Sequence, residues 1–322
     1  MHEVLPDHFP AGRRVSTNGI ELVVHDAGKG PVVVLLHGFP ELAYSWRHQV
    51  RELISAGYRV VMPNQRGYGS SDAPDDPRAY SMRMLVADVV GVLDSCDVAE
   101  ATIVGHDFGG MVAWNCSVYA PERVTSVVSL CTPHGPRGRT DIVESYRRRY
   151  GSTHYMTTFQ DPGVAEAIFE ADLEHTFTAM LRGAGVSLAE FRALPAEVQA
   201  LPIGLFVGNP PLLGRSLVSR EDLDVYVDAY RGSGFRGPLS WYRSLARTWE
   251  EADGVDMTVD KASLLIQAAD DFFLAPDQAD MTDRYVTRLE RRVVANCGHW
   301  MQQEQPDAVN ALLLYWLTHQ AR

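Results

Sequence analysis

Residues 105–110 read GHDFGG. They follow the apolar run 101–104 and precede MVAWNCSVYA, a helix-like stretch. That order is strand, tight turn, helix. Small–x–nucleophile–x–small at such a turn is the pattern of a nucleophile elbow, best known with serine in the middle. Here the middle residue is Asp107. An aspartate at this point can also cap the helix that follows. Gly105, Gly109 and Gly110 favour the nucleophile, because a crowded elbow needs small neighbours.

The alternation continues on both sides of the elbow. RRVSTNGIELVVHDAG reads as a hairpin turning at Asn18 and Gly19. PVVVLLHG is a continuous apolar run, as expected of a central strand covered on both faces. A helix over about 43–55, the strand YRVVMP, the glycine-rich loop RGYGSSDAP and a helix over 81–97 come next. RVTSVVSLCT follows the elbow helix as another strand. This βαβα order implies a mostly parallel sheet with helices on both faces. The pattern breaks near Thr132 and Pro133. From 135 to 254 the chain has helix-like stretches without convincing strands, punctuated at GNPPLLG (208–214) and GSGFRGPL (232–239). It resumes with KASLLIQAADD, a helix over 277–289, the strand RRVVANCGHW and a helix from Pro306 onward. The expectation is an α/β core of residues 1–134 and 255–322, interrupted by a helical insert at 135–254.

The chain has 322 residues, 46% hydrophobic and 22% charged, in the globular range. A formal charge of −12 argues against nucleic acid and anionic membrane as general partners. RRRY at 147–150 reads as a helix face. Cys96, Cys116, Cys131 and Cys297 form no CxxC pair, and three sit in or beside apolar runs. No disulfide framework and no zinc site are expected. The first residues lack the apolar core of a secretory signal, and no uncharged run reaches transmembrane length. The expectation is a cytoplasmic protein without membrane insertion.

Three strand ends carry candidate chemistry. Asp107 follows the first. His299, in NCGHW, follows the last, where a nucleophile-elbow triad places its base. An acid is then required between them and just after a strand, and QAADDFF offers Asp270 and Asp271. HGFP at 37–40 follows a further strand. A loop there supplies a backbone N–H to an oxyanion hole, beside the N–H of the residue after the nucleophile. Those residues are Phe39 and Phe108. His37 has no spaced metal-ligand partners, and His106 reads as a packing residue.

Together HGFPELAYSWRHQ, RGYGSSDAP, GHDFGGMVAW, FQDPGVAE, SGFRGPLSWYR, DDFFLAP and NCGHWMQQEQP make the chain resemble an epoxide hydrolase of the α/β-hydrolase fold. It is particularly similar to the hydrolase domain of the mammalian soluble epoxide hydrolases. The resemblance runs from about residue 31 to the C-terminus, and it implies that the insert is a helical cap. It places the acid on Asp271, and two cap tyrosines that bind the epoxide oxygen on Tyr155 and Tyr242. Composition alone does not select these among thirteen tyrosines, and Tyr146 and Tyr150 are nearby competitors. Phe108 departs from the tryptophan common in the family, and an altered pocket shape is expected there.

The implied activity is opening of a small, hydrophobic epoxide to a vicinal diol through an ester on Asp107, without cofactor or metal. A carboxylate suits displacement at saturated carbon. A haloalkane or haloacid dehalogenase would use the same nucleophile. It commonly carries Asn after HG, and Trp after the nucleophile or Arg beside it, where this chain has Phe39 and Phe108. A non-catalytic small-molecule-binding protein on the same fold would be expected to have lost one of these groups.

Overall fold

Asn18 and Gly19 both adopt positive φ, 45° and 78°. A two-residue turn of that kind matches the twist of paired strands. It joins β1 (Gly12–Thr17) to β2 (Ile20–Gly28) in antiparallel register. The protein is described here from a computed structural model, over residues 5–6, 8–208 and 213–320. Then come β3 (Val32–Leu36), β4 (Arg59–Asn64), β5 (Ala101–His106), β6 (Val124–Leu130), the short β7 (Arg182–Ala184) and β8 (Leu213–Ser216), β9 (Val259–Ala268) and β10 (Val286–Val294).

Eight of these strands form one sheet in the order β1-β2-β4-β3-β5-β6-β9-β10. From β4 to β10 all neighbours are parallel. The central strands β3 and β5 are almost wholly buried, which explains their uninterrupted apolar sequence. The helices Arg47–Ser55, Met82–Ser95, Phe108–Tyr119 and Pro306–Gln320 belong to this core. Phe108–Tyr119 is buried along most of its length, as a helix apolar all round requires.

Between β6 and β9 the chain is mainly helical, from Ile142–Tyr150 to Leu245–Glu251. Arg147 and Arg148 pair with Glu144 on an exposed face at 3.3 and 2.7 Å, so the basic cluster is largely a solvated helix face. The insert also contains the antiparallel pair β7–β8. Three- and four-residue strands are too short to show a period of two, which is why the sequence hides them. Positions 209–212, part of the GNPPLLG break, lie outside the described residues.

The expected helix over 277–289 is corrected. A short turn Pro276–Ala279 and a helix Thr282–Tyr285 end where β10 begins, at Val286. VTRLERRVV resembles a helix because β10 is an edge strand rich in exposed charge, which blurs its alternation. The four cysteines are free and buried. No helix among the described residues is long and apolar enough to cross a membrane.

Candidate active site

Asp107 lies between β5 and the helix Phe108–Tyr119 with φ 53° and ψ −121°. Positive φ at a residue with a side chain costs about 1–3 kcal/mol and persists only where the surroundings enforce it. Here they do. A Cβ on Gly105 would lie 2.0 Å from the Gly109 carbonyl oxygen, and one on Gly109 would lie 2.1 Å from that of Leu36. The Thr132 hydroxyl donates to the Asp107 carbonyl at 2.6 Å. Gly38 leaves room on the other side, since a Cβ there would fall 2.4 Å from Asp107 Cβ.

The Asp107 carboxylate has two different environments. Oδ1 accepts a hydrogen bond from the Phe39 N–H at 2.9 Å. Oδ2 lies 3.6 Å from His299 Nε2. Phe108 is the first residue of its helix, so its N–H has no carbonyl one turn back to bond. It flanks the same carboxylate in sequence.

His299 lies in the loop after β10, and its Nδ1 is 2.8 Å from Asp271 Oδ2. Asp271 Oδ1 accepts from the Phe273 and Leu274 N–H groups at 2.8 and 2.9 Å. Burial opposes its charge, but His299 and these two donors outweigh burial and hold the carboxyl below its ordinary range. Burial likewise disfavours the His299 cation, yet Asp271, then Asp107 and Glu41, raise its pKa to about 9. Asp270 turns elsewhere: its Oδ1 accepts from the Leu188 N–H at 3.1 Å.

Asp107 and His299 line a cavity that also includes Tyr155, Tyr242, Phe39 and Phe108. Burial pushes both tyrosines well above the ordinary phenol range, so both remain donors. No hydrogen bond to either hydroxyl is present among the described residues. Tyr155 begins the short helix Tyr155–Thr158, and Tyr242 lies in Arg236–Arg243. Their ring centroids are 6.0 Å apart at 84°. Tyr146 reaches the same cavity, whereas Tyr150 lines the neighbouring one. Phe108 meets Trp241 and Tyr242 edge-on at 5.3 and 4.8 Å.

His106 has a role that its sequence position does not reveal. Its Nδ1 is 2.8 Å from Glu41 Oε2, and its Nε2 donates to the His299 carbonyl at 2.8 Å. Glu41 also accepts from Gln302 and Gln303, at 2.8 and 2.7 Å, and from the Gly38 N–H at 3.3 Å. Burial works against its charge, but His106 outweighs burial and lowers the Glu41 pKa. A buried polar network thus joins the loop after β3, the elbow and the His299 loop. His37 is neutral, lowered to about 4 by burial, and its Nε2 accepts from the Gln65 N–H.

One group of side chains has metal-ligand spacing: His106, Cys131 and His299, with ligand atoms within 4.8 Å of one another. These atoms have other partners. Both His106 nitrogens are bonded, His299 Nδ1 serves Asp271, and Cys131 Sγ lies 3.3 Å from the His299 carbonyl oxygen. Burial pushes the Cys131 thiol far above the range in which it ligates as thiolate.

This arrangement has counterparts in known proteins. Residues 31–306 match the family described as alpha/beta hydrolase fold. Epoxide hydrolase A of Mycobacterium tuberculosis is 40% identical over 318 residues, covering 96% of this chain and 98% of that protein. Bifunctional epoxide hydrolase 2 of Sus scrofa is 37% identical over 94% of this chain, which spans only 54% of that longer protein. The crystal structure of epoxide hydrolase A from Mycobacterium thermoresistibile superposes with a TM-score of 0.86 at 36% identity, over 96% of this chain and 98% of that one. The chain belongs to the α/β-hydrolase fold family and, within it, to the epoxide hydrolases, which act on ether bonds.

Proposed function

We propose that this protein hydrolyses a hydrophobic epoxide to a vicinal diol through an alkyl ester on Asp107. The observation that carries the reading is the asymmetry of the Asp107 carboxylate. Oδ1 is held by the Phe39 N–H at 2.9 Å, which leaves Oδ2 as the attacking oxygen. Oδ2 attacks an epoxide carbon, a C–O bond forms, and the strained C–O bond breaks. Tyr155 and Tyr242 donate hydrogen bonds to the departing oxygen, and one supplies its proton.

Ester formation removes the negative charge on Asp107. That charge is one of those raising His299 to about 9, so its loss lowers the pKa and favours the neutral base. His299 Nε2 then takes a proton from water, and the hydroxide attacks the ester carbonyl carbon. Oδ1 becomes the oxyanion, held by the N–H groups of Phe39 and Phe108. Asp271 fixes the His299 tautomer and stabilises the imidazolium. Collapse breaks the bond from the carbonyl carbon to Oδ2: the imidazolium gives its proton to the departing diol oxygen, the proton on the new Asp107 carboxyl returns to the tyrosinate, and the diol leaves.

In this reading residues 135–254 form a cap over a core of 1–134 and 255–322. The substrate is a small molecule with apolar surface, matching the aromatic lining of the cavity. Four free, buried cysteines support a reducing, cytoplasmic setting. A single turnover in heavy-oxygen water tests the scheme. The first diol should carry unlabelled oxygen from the enzyme, and label should enter Asp107. Label in the first-turnover diol would overturn the covalent route.

A further inference from the structure

The two loops that carry Asp271 and His299 are fastened to one short stretch of the insert. Glu304 is buried at the end of the helix Met301–Glu304. Its Oε2 accepts from the Gly298 N–H at 2.7 Å, and its Oε1 accepts from the Ala184 N–H at 3.0 Å. Gly298 is the residue before His299, and Ala184 ends β7. Asp270 is the residue before Asp271. Its Oδ1 accepts from the Leu188 N–H, and its own N–H donates to the Cys297 carbonyl at 2.9 Å. The immediate predecessor of each member of the base–acid pair is therefore bonded, directly or through one carboxylate, to insert residues 184–188.

The backbones approach too closely for this to be loose contact. A Cβ on Gly183 would fall 2.5 Å from Glu304 Oε1, and one on Gly298 would fall 3.0 Å from the Ala184 nitrogen. The bonds from Gly298, Ala184 and Leu188 each run from a backbone N–H to a carboxylate, the stronger class of hydrogen bond. A fastening at two points fixes both position and rotation of a loop, which one point cannot do.

We propose that Asp270 and Glu304 are positioning residues through which insert residues 184–188 hold the Asp271–His299 pair in register for the hydrolytic half-reaction. This rests on the roles given above to Asp107 and His299. Neither carboxylate lines the cavity of Asp107, so the effect is confined to the step that uses His299.

The test follows both half-reactions with styrene oxide as probe, by rapid quench and intact-protein mass. Glu304→Ala removes both acceptors, Glu304→Gln keeps one, and Asp270→Ala removes the bond to Leu188. Ester formation should stay within about twofold of the parent, while ester decay slows about tenfold in Glu304→Ala and Asp270→Ala, because small misplacements of a base carry costs of that order or more. Glu304→Gln should fall between and, if Glu304→Ala does not fold, carries the Glu304 arm of the test beside Asp270→Ala. A thermal melt and the ester-formation rate separate this from general loosening. Equal slowing of both steps, or unchanged decay, would overturn the positioning role while leaving the covalent scheme intact. A parent enzyme that never forms the ester would overturn both.

Discussion

The core and the insert build their halves of the site by different means. In the core, backbone geometry does the placing. Asp107 is pinned at φ 53° by glycines with no room for a side chain, and His299 and Asp271 sit at strand ends locked by hydrogen bonds to backbone groups and each other. In the insert, side-chain packing does it. Tyr155 and Tyr242 come from helices of four and eight residues and are held edge-on by Phe159 at 5.4 and 4.9 Å. A backbone-determined site tolerates little change, whereas a packed one can be reshaped by exchanging rings. The core is thus suited to fixed chemistry, and the insert to variable fit.

The largest effects should fall in the core. Asp107→Ala removes the proposed nucleophile, and turnover should drop by at least about 10⁴-fold, as when a covalent nucleophile is lost elsewhere. His299→Gln should lower turnover by about 10²–10⁴-fold, the range for a general base. It should still alkylate, so that the ester accumulates and appears as a stable mass increase. A His299→Gln protein that fails to alkylate would reassign His299 to the first step.

His299, raised chiefly by Asp271, also makes stability depend on pH. The folded pKa of His299 lies above its ordinary value of 6.5, at about 9. Protonated His299 therefore stabilises the fold fully below about pH 6.5, and this contribution is lost as pH rises through about 9. It is worth on the order of 3 kcal/mol. Unfolding free energy should decline between those pH values in the parent and be flatter in His299→Gln. Asp107→Ala should lower the imidazole pKa followed by NMR, since Asp107 is one of the charges that raise it. An unmoved titration would break the proposed link between ester formation and release of the base.

In the insert, Tyr155→Phe and Tyr242→Phe each delete a donor with no change of shape. Each should slow ester formation by about 10²–10³-fold, the scale for one donor to a developing oxyanion. The double variant should lose more than either. Ester decay should hold, because neither hydroxyl acts in that step, and quenched-flow separation of the two rates checks this. Equal slowing of both steps would mean that the tyrosines shape the cavity rather than protonate the leaving oxygen.

The core half is the half that sequence reads well. Apolar runs and glycine turns locate β3, β5 and the elbow, and strand ends locate Asp107 and His299. The choice between Asp270 and Asp271 is not local. Adjacent residues at a strand end point different ways, and only the folded loop turns Asp271 to His299 and Asp270 to Leu188. The tyrosines are invisible to periodicity, because their helices are short, and only resemblance singles them out. The Glu41–His106 network is hidden for another reason. Its bonds span 65 and 193 residues, and no spacing rule connects such distant positions. β10 was obscured by its own charges, its pattern closer to a helix than to an alternating strand.

The smallest effect belongs to Phe108, where the two halves meet. Its backbone belongs to the elbow, and its ring packs on Trp241 and Tyr242 of the insert. Phe108→Trp leaves the N–H in place, so the core contribution should not change. The larger ring has Tyr242 at 4.8 Å in its way and must displace it or narrow the cavity. The expected result is a change in preference among epoxides of different width of no more than about 10–200-fold, the scale of pocket shape rather than of chemistry. Ester decay should stay at the parent rate for every epoxide that still alkylates. Competition between a slender terminal epoxide and a bulky aryl epoxide reads the preference directly. Slower decay in Phe108→Trp would show that the ring, and not only its backbone N–H, helps to set the oxyanion site, and the division between fixed core and adaptable insert would then fail at this residue.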